Sequence, residues 1–78
     1  MSRHKPILYI VVPCYNEEQV LPHTNPMFVE KIEQLVKKEE IHPLSKIMYV
    51  NDGSKDRTWE LIESYAKTIP SVVGVSQS

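Results

Sequence analysis

Apolar residues are concentrated in three short runs along the chain, and polar stretches separate them. Ile7–Val12 is a continuous run of β-branched, aromatic and leucine side chains followed by Pro13, Lys46–Val50 is a second, and Val72–Val75 is a third. Runs of this length and composition predict β-strands. Because Ile7–Val12 is apolar throughout rather than alternating, it predicts a strand covered on both faces, as in parallel sheets.

The segments between the runs show helical periodicity. The first helix has an apolar face spaced at i, i+4, i+7 and i+8, formed by Phe28, Ile32, Leu35 and Val36. Asn25 as cap and Pro26 as first helical residue predict where it starts, although an earlier start with Pro22 in the first turn is also compatible. The second helix is predicted from about Asp56 to Lys67, with a buried side formed by Trp59, Ile62, Tyr65 and Ala66.

The predicted order is β-α-β-α-β, which is typical of an α/β fold with a parallel sheet and right-handed crossovers. No helix pattern follows the third strand to cover the sheet. We therefore expect residues 1–78 to be the amino-terminal part of one larger α/β domain, with its carboxy-terminal part absent.

Composition and net charge bear on the kinds of molecule that the chain could bind and on its cellular compartment. The chain has 78 residues, 41% of them hydrophobic, and a formal net charge of −1, so nothing points to nucleic acid or an anionic membrane. A single cysteine, Cys14, excludes an internal disulfide and favours a reducing, cytoplasmic compartment, where Cys14 is expected to be a small buried hydrophobe. No apolar run approaches the ~20 residues of a membrane-spanning helix.

The residues that follow the first two strands are candidates for ligand binding, because open α/β sheets bind ligands at the carboxyl ends of their strands. Adjacent parallel strands would bring Tyr15 and Asp52 close together. An aromatic ring can stack on a nucleobase while a carboxylate accepts a hydrogen bond from the edge of the base. The alternatives are that Asp52 serves only the turn and Tyr15 only packs at a strand end.

The turn after the second strand is rich in residues that favour sharp changes of direction. Asn51, Asp52 and Gly53 are expected to break the strand, and Ser54 or Asp56 to cap the following helix. The chain has no Gly-x-Gly-x-x-Gly and no P-loop motif, which argues against those two modes of nucleotide binding.

Two motifs in this order resemble the opening of family 2 glycosyltransferases, in the branch of bactoprenol glucosyltransferases and dolichyl-phosphate mannose synthases. They are Val12–Glu18, with the sequence VPCYNEE, and Val50–Thr58, with the sequence VNDGSKDRT. The resemblance implies a GT-A, Rossmann-like fold and transfer of a hexose from a nucleotide-sugar to a polyprenyl phosphate or another cell-envelope acceptor. UDP-sugar is expected in preference to GDP-sugar.

The resemblance also assigns roles to residues. It implies that a nucleotide pocket is formed by Pro13, Tyr15, Glu17 and Asp52. The supporting turn and cap positions are Asn16, Asn51, Gly53, Ser54, Asp56 and Thr58. Most members of the family have Asp where this chain has Asn51, so one charge beside the pocket is missing.

The same resemblance implies parts of the enzyme outside these residues. We expect no catalytic residue and no metal ligand among residues 1–78, so this chain alone is expected to be inactive. The ligands for Mg²⁺ or Mn²⁺ are expected beyond residue 78. The full protein is expected at the cytoplasmic face of the inner membrane, anchored there if membrane helices follow downstream.

Two other classes of function fit the residues. One is a receiver-like phosphotransfer domain whose acidic strand ends hold Mg²⁺. The other is a non-enzymatic association module that forms a homodimer through an exposed sheet edge.

Overall fold

The computed structural model describes residues 5–77, which form three strands and two helices in alternation. The elements in chain order are β1 (Tyr9–Cys14), α1 (Leu21–Lys37), β2 (Lys46–Asp52), α2 (Thr58–Thr68) and β3 (Val72–Gln77). The predicted α/β class and the β-α-β-α-β order are confirmed.

The strands form a single parallel sheet in the order β1-β2-β3. Cys14 of β1 is paired with Asn51 of β2, and Asp52 of β2 with Gln77 of β3. The carboxyl ends of all three strands therefore lie at one edge of the sheet, where the loops that follow β1 and β2 meet.

Both helices pack on the same face of the sheet, as Tyr49 at the centre of β2 shows. Its hydroxyl donates a hydrogen bond to Asn25 Oδ1 of α1 at 2.7 Å, and its ring centroid lies 6.5 Å from that of Tyr65 of α2. Burial raises the pKa of Tyr49 well above its usual range, as do the nearby Cys14 and Tyr65. Two right-handed crossovers that advance in one direction place their helices on one side. The buried core on that side consists of Cys14, Leu21, Ile32, Ile41, Ile47, Tyr49, Ile62 and Val72.

The other face of the sheet carries no helix among residues 5–77, and we call it the open face. Exposed and less exposed residues alternate along β1, so that Val11 is 58% exposed while its neighbours Ile10 and Val12 pack against the core. The prediction of a strand covered on both faces is therefore wrong for the described residues. The alternation along β1 and β2, and the pairing of β2 with β3, define the apolar residues of the open face as Tyr9, Val11, Pro13, Met48, Val50, Val73 and Val75.

β1 lies two residues later than predicted, since it begins at Tyr9 and contains Pro13. Proline has no N–H for a strand ladder, so it was expected to end the strand. Among residues 5–77, β1 pairs only with β2, and edge strands accept proline.

α1 begins at Leu21, so Pro22 lies in its first turn and Pro26 lies inside it. This confirms the earlier of the two predicted starts, and the prediction of Asn25 as cap is wrong. Asn25 is buried against Tyr49, and Leu21 is buried in the core. These contacts stabilise the first turn even though Pro26 cannot donate a backbone hydrogen bond.

β2 continues through Asn51 and Asp52, which were expected to break it, because these residues pair with Ser76 and Gln77 of β3. β3 begins at Val72, as predicted, and extends to Gln77. α2 starts at Thr58 rather than at about Asp56, and the helix buries Ile62 as predicted. The turn is thus confined to the five residues from 53 to 57.

Candidate functional site

Tyr15 and Asp52 occupy neighbouring positions at the carboxyl edge of the sheet. Asp52 is the last residue of β2, and Tyr15 directly follows β1, one position past the Cys14–Asn51 pair. Tyr15 is 57% exposed and Asp52 is also exposed. The predicted placement of Asp52 at the end of a strand is confirmed, and both side chains are accessible to a ligand.

The chain changes direction sharply just after each of these residues. Asn16 has φ 51° and Gly53 has φ 67°, both in the left-handed region. Gly53 adopts it without steric cost, and Asn is one of the few other residues that do so readily. Each strand can therefore end in a tight loop at the same level of the sheet.

The two loops are joined by hydrogen bonds from three consecutive backbone N–H groups. Asn16 N–H donates to Ser54 Oγ at 3.0 Å. Glu17 N–H donates to Thr58 Oγ1 at 2.7 Å. Glu18 N–H donates to Asp56 Oδ2 at 3.3 Å.

Two side chains of the first loop accept hydrogen bonds from backbone N–H groups of the second loop. Asn16 Oδ1 accepts from Lys55 N–H at 2.8 Å. Glu18 Oε1 accepts from Arg57 N–H at 3.5 Å. We call these five contacts between residues 16–18 and 54–58 the loop clasp. It fixes the loop that carries Tyr15 to the loop that follows Asp52.

Asp56 and Thr58 form the inner part of the clasp. Thr58 is fully buried, its hydroxyl donates to Asp56 Oδ1, and its N–H donates to the same oxygen at 2.9 Å. Desolvation raises the pKa of Asp56, but hydrogen bonds from Thr58 and from the backbone of Glu18 outweigh it and lower the pKa. Asp56 therefore serves the start of α2 as predicted. Ser54 does not cap α2, because its hydroxyl accepts from Asn16 instead.

Asn51 connects the same turn to β3. Its side chain is 4% exposed, its Oδ1 accepts from Ser54 N–H at 3.3 Å, and its Nδ2 donates to Ser76 Oγ at 3.3 Å. A neutral amide satisfies both contacts and leaves Asp52 without a second charge on the preceding residue.

Comparison with known proteins identifies the family. The profile of glycosyl transferase family 2 matches residues 9–77, which is almost the whole chain. The chain belongs to glycosyl transferase family 2. The resemblance drawn from the two motifs is confirmed.

Several glycosyltransferases are similar to this family 2 chain. It is 48% identical over 62 residues to the uncharacterized glycosyltransferase YkoT of Bacillus subtilis, covering 80% of this chain and 18% of that protein. It is 42% identical over 72 residues to the dolichyl-phosphate beta-glucosyltransferase ALG5A of Trichomonas vaginalis, covering 90% and 21%. It is 37% identical over 68 residues to the bactoprenol glucosyl transferase of Shigella phage SfX, covering 86% and 20%. The matched part is about a fifth of the length of each relative.

Enzymes of family 2 generally use a divalent metal. Within residues 5–77, no group of three His, Cys, Asp or Glu side chains is arranged to hold one. Asp56, which is close in sequence to Asp52, has its carboxylate directed to Thr58 and to the backbone of Glu18.

Cys14 is adjacent to Tyr15 in sequence but contributes to the core. Its side chain is 1% exposed, and burial together with the charge of Glu17 raises its pKa to about 11. It is the small buried hydrophobe that was predicted.

A groove of about 310 Å³ lies near the amino ends of the strands, away from Tyr15 and Asp52. It lies between the end of α1 and the segments that precede β2 and β3. Its lining residues include Ile32, Val36, Pro43, Ile69 and Pro70. Because these segments lead into the amino ends of the strands, the groove is separate from the candidate site.

Three members of the clasp were not among the site residues predicted from the sequence, and they are Glu18, Lys55 and Arg57. None of the three was assigned a contact between the two loops. Glu18 instead accepts from Arg57, while the backbone of Lys55 donates to Asn16. Backbone donors carry no sequence signal, so only the density of turn residues in both loops pointed to this contact.

Proposed function

We propose that this chain is the nucleotide-binding part of a glycosyltransferase that uses a UDP-sugar. Tyr15 stacks on the uracil ring, and Asp52 accepts a hydrogen bond from the N–H of that ring. The observation that carries the proposal is the adjacent, exposed placement of the two side chains at the carboxyl edge of a parallel sheet in a family 2 chain.

Pro13 and Glu17 complete the proposed pocket. Pro13 is an exposed residue of β1 two positions before Tyr15, and Glu17 is half-buried in the first loop. The backbone N–H of Glu17 donates a hydrogen bond to Thr58 Oγ1, which fixes the backbone position of Glu17 beside the proposed base.

Uracil is proposed ahead of guanine because the family resemblance implies it. Asp52 can accept from the single ring N–H of uracil, but its two carboxylate oxygens also match the ring N–H and the amino group of guanine. The separate titrations with UDP and GDP therefore decide between the two bases. Two of the similar proteins are named as glucosyltransferases, which supports a hexose as the transferred group.

The acceptor of the full protein is proposed to be a polyprenyl phosphate. The names of two relatives refer to dolichyl phosphate and to bactoprenol, which are lipids of that class. Within residues 5–77, no helix combines the length and hydropathy needed to cross a bilayer.

The chain is proposed to be the amino-terminal part of one GT-A domain. Its matched relatives are about five times longer, and its open face offers an apolar surface that further polypeptide would cover. The Mg²⁺ or Mn²⁺ ligands and the acceptor site are assigned to that further polypeptide. The intact enzyme is proposed to work at the cytoplasmic face of the membrane, where downstream helices would anchor it.

The test is a titration of the isotope-labelled chain with UDP, GDP and Mg²⁺ separately, followed by backbone amide shifts. We expect UDP to bind with a Kd of about 1 mM, since no diphosphate clamp is present, and to shift the amides of residues 12–17 and 51–54. Asp52→Ala removes the acceptor, and Tyr15→Ala removes the ring. Each should weaken binding about tenfold.

Tyr15→Phe is the matched control, because it keeps the ring and should bind as the parent chain does. Equal shifts with UDP in the parent and in Asp52→Ala would rule out Asp52 as the reader of the base. Shifts with Mg²⁺ alone and none with UDP would favour the receiver-like alternative.

A further inference from the structure

We propose that Asn16 is a positioning residue that holds Tyr15 in its base-binding position before any nucleotide arrives. The inference rests on the proposed base pocket and adds to it a residue that does not touch the ligand. Asn16 acts through the loop clasp, from the position directly after Tyr15.

The structure gives Asn16 two contacts with the second loop. Its backbone N–H donates to Ser54 Oγ at 3.0 Å, and its side-chain Oδ1 accepts from Lys55 N–H at 2.8 Å. Both partners lie within two residues of Gly53. One residue is therefore bonded through its backbone and its side chain to the turn that follows Asp52.

Tyr15 has little packing of its own to keep it in place. Its side chain is 57% exposed, and it lies just beyond the end of β1. Its backbone is held between the end of β1 on one side and Asn16, which has φ 51°, on the other. A fixed loop lowers the entropy that a ligand must overcome when it orders the pocket.

Asparagine meets both requirements of this position. It tolerates the left-handed conformation, and its carbonyl oxygen accepts a hydrogen bond. Glycine would keep the conformation and lose the acceptor. Aspartate would keep the acceptor, and alanine would lose the acceptor while also adding strain. Comparison of asparagine, glycine, aspartate and alanine at position 16 therefore separates the contribution of the backbone conformation from that of the hydrogen-bond acceptor.

The experiment measures UDP affinity, thermal midpoint and amide dynamics for the parent chain, Asn16→Gly, Asn16→Ala and Asn16→Asp. We expect Asn16→Ala to raise the Kd about tenfold and Asn16→Gly about threefold. Asn16→Asp should restore the parent affinity when uridine, which has no phosphate charge, is the probe. In Asn16→Ala and Asn16→Gly the amide of Lys55 should exchange faster with solvent, and the amide of Tyr15 should become more mobile.

Ile41→Val is the control for general destabilisation, because Ile41 is a core residue just before β2, at the far edge of the sheet. It should lower the thermal midpoint at least as much as Asn16→Ala and leave the Kd unchanged. Tyr15 mobility that stays at the parent level in Asn16→Ala, with an unchanged Kd, would overturn the positioning role. A parent chain that binds neither UDP nor uridine would overturn the base pocket itself, and the positioning role with it.

Discussion

Cys14 and Tyr15 are neighbours in sequence with opposite environments. The side chain of Cys14 faces the core and is 1% exposed, whereas Tyr15 is 57% exposed. Alternation along the end of a strand separates the two, so a potential nucleophile is removed from the edge at which the aromatic ring is displayed.

The first prediction concerns the reactivity of Cys14. Its pKa is raised from 9.0 to about 11, so at pH 8 the thiolate should be on the order of one molecule in a thousand. We expect alkylation by iodoacetamide to be slow in the folded chain and to become fast in concentrated urea. Mass spectrometry over time measures both rates.

The raised pKa of Cys14 also makes the stability of the fold depend on pH. Because the folded pKa is above the unfolded one, the neutral thiol favours folding below about pH 9, and this contribution is lost as the pH rises toward 11. A Cys14→Ala variant should lack this part of the alkaline loss of stability. Rapid labelling of the native chain at pH 8 would show that Cys14 is not buried in solution.

At the scale of secondary-structure elements, the approach of α2 to β3 depends on a missing side chain. A Cβ atom on Gly74 would lie 2.5 Å from Ile62 Cγ2 and 3.3 Å from a ring carbon of Trp59. The helix can therefore lie close to the strand because Gly74 has no Cβ.

The second prediction compares the two glycines. Gly74→Ala should destabilise the fold by about 1–3 kcal/mol through overpacking, as measured by urea denaturation. Gly53→Ala should cost about 1–2 kcal/mol for a different reason, because its surroundings are open but its φ is 67°.

A double-mutant cycle separates these two causes. The cost of Gly74→Ala should fall in an Ile62→Ala background, which removes the clashing methyl group, whereas the cost of Gly53→Ala should stay the same. If Ile62→Ala left the cost of Gly74→Ala unchanged, contact with Ile62 would not be its origin.

At the scale of the whole molecule, a sheet with helices on one side leaves apolar surface in water. Tyr9, Val11 and Val75 are all exposed on the open face. β1 also has a free edge within the described residues. Such surfaces favour association, which is the basis of the homodimer expected from the sequence.

The third prediction is that the isolated 78-residue chain self-associates through the open face at concentrations of about 0.1 mM. Val11→Lys places a charge at the centre of β1 and should yield a monomer with nearly the same thermal midpoint. Sedimentation equilibrium measures the mass. Gln34→Lys, on the exposed side of α1, is the control and should associate like the parent chain, whereas a monomeric parent chain would refute the prediction.

The sequence by itself determined the kinds of element, their order and the location of the candidate site. Apolar runs and helical spacing are local properties of the sequence. They can therefore be recognised without knowing which residues are in contact in the folded chain. The two motifs that carry the family resemblance lie in the loops after β1 and β2, and the family profile confirms them.

Only the tertiary structure decided where the elements begin and end. Asn25 lies within α1, where it accepts a hydrogen bond from Tyr49, which is 24 residues away. Asn51 lies within β2, where it pairs with Ser76 of β3. Local propensity predicted a cap and a break at these positions. Distant partners outweighed it because a buried polar group needs a hydrogen bond wherever the partner lies.

The loop clasp is the clearest case of this division. The turn residues of both loops could be recognised in the sequence, but their contacts join residues 38 to 41 positions apart. Three of the five bonds start from backbone N–H groups of residues 16–18, which every residue except proline possesses. Sequence therefore determined which side chains could accept those bonds, and the parallel register of β1 and β2 decided which donors they meet.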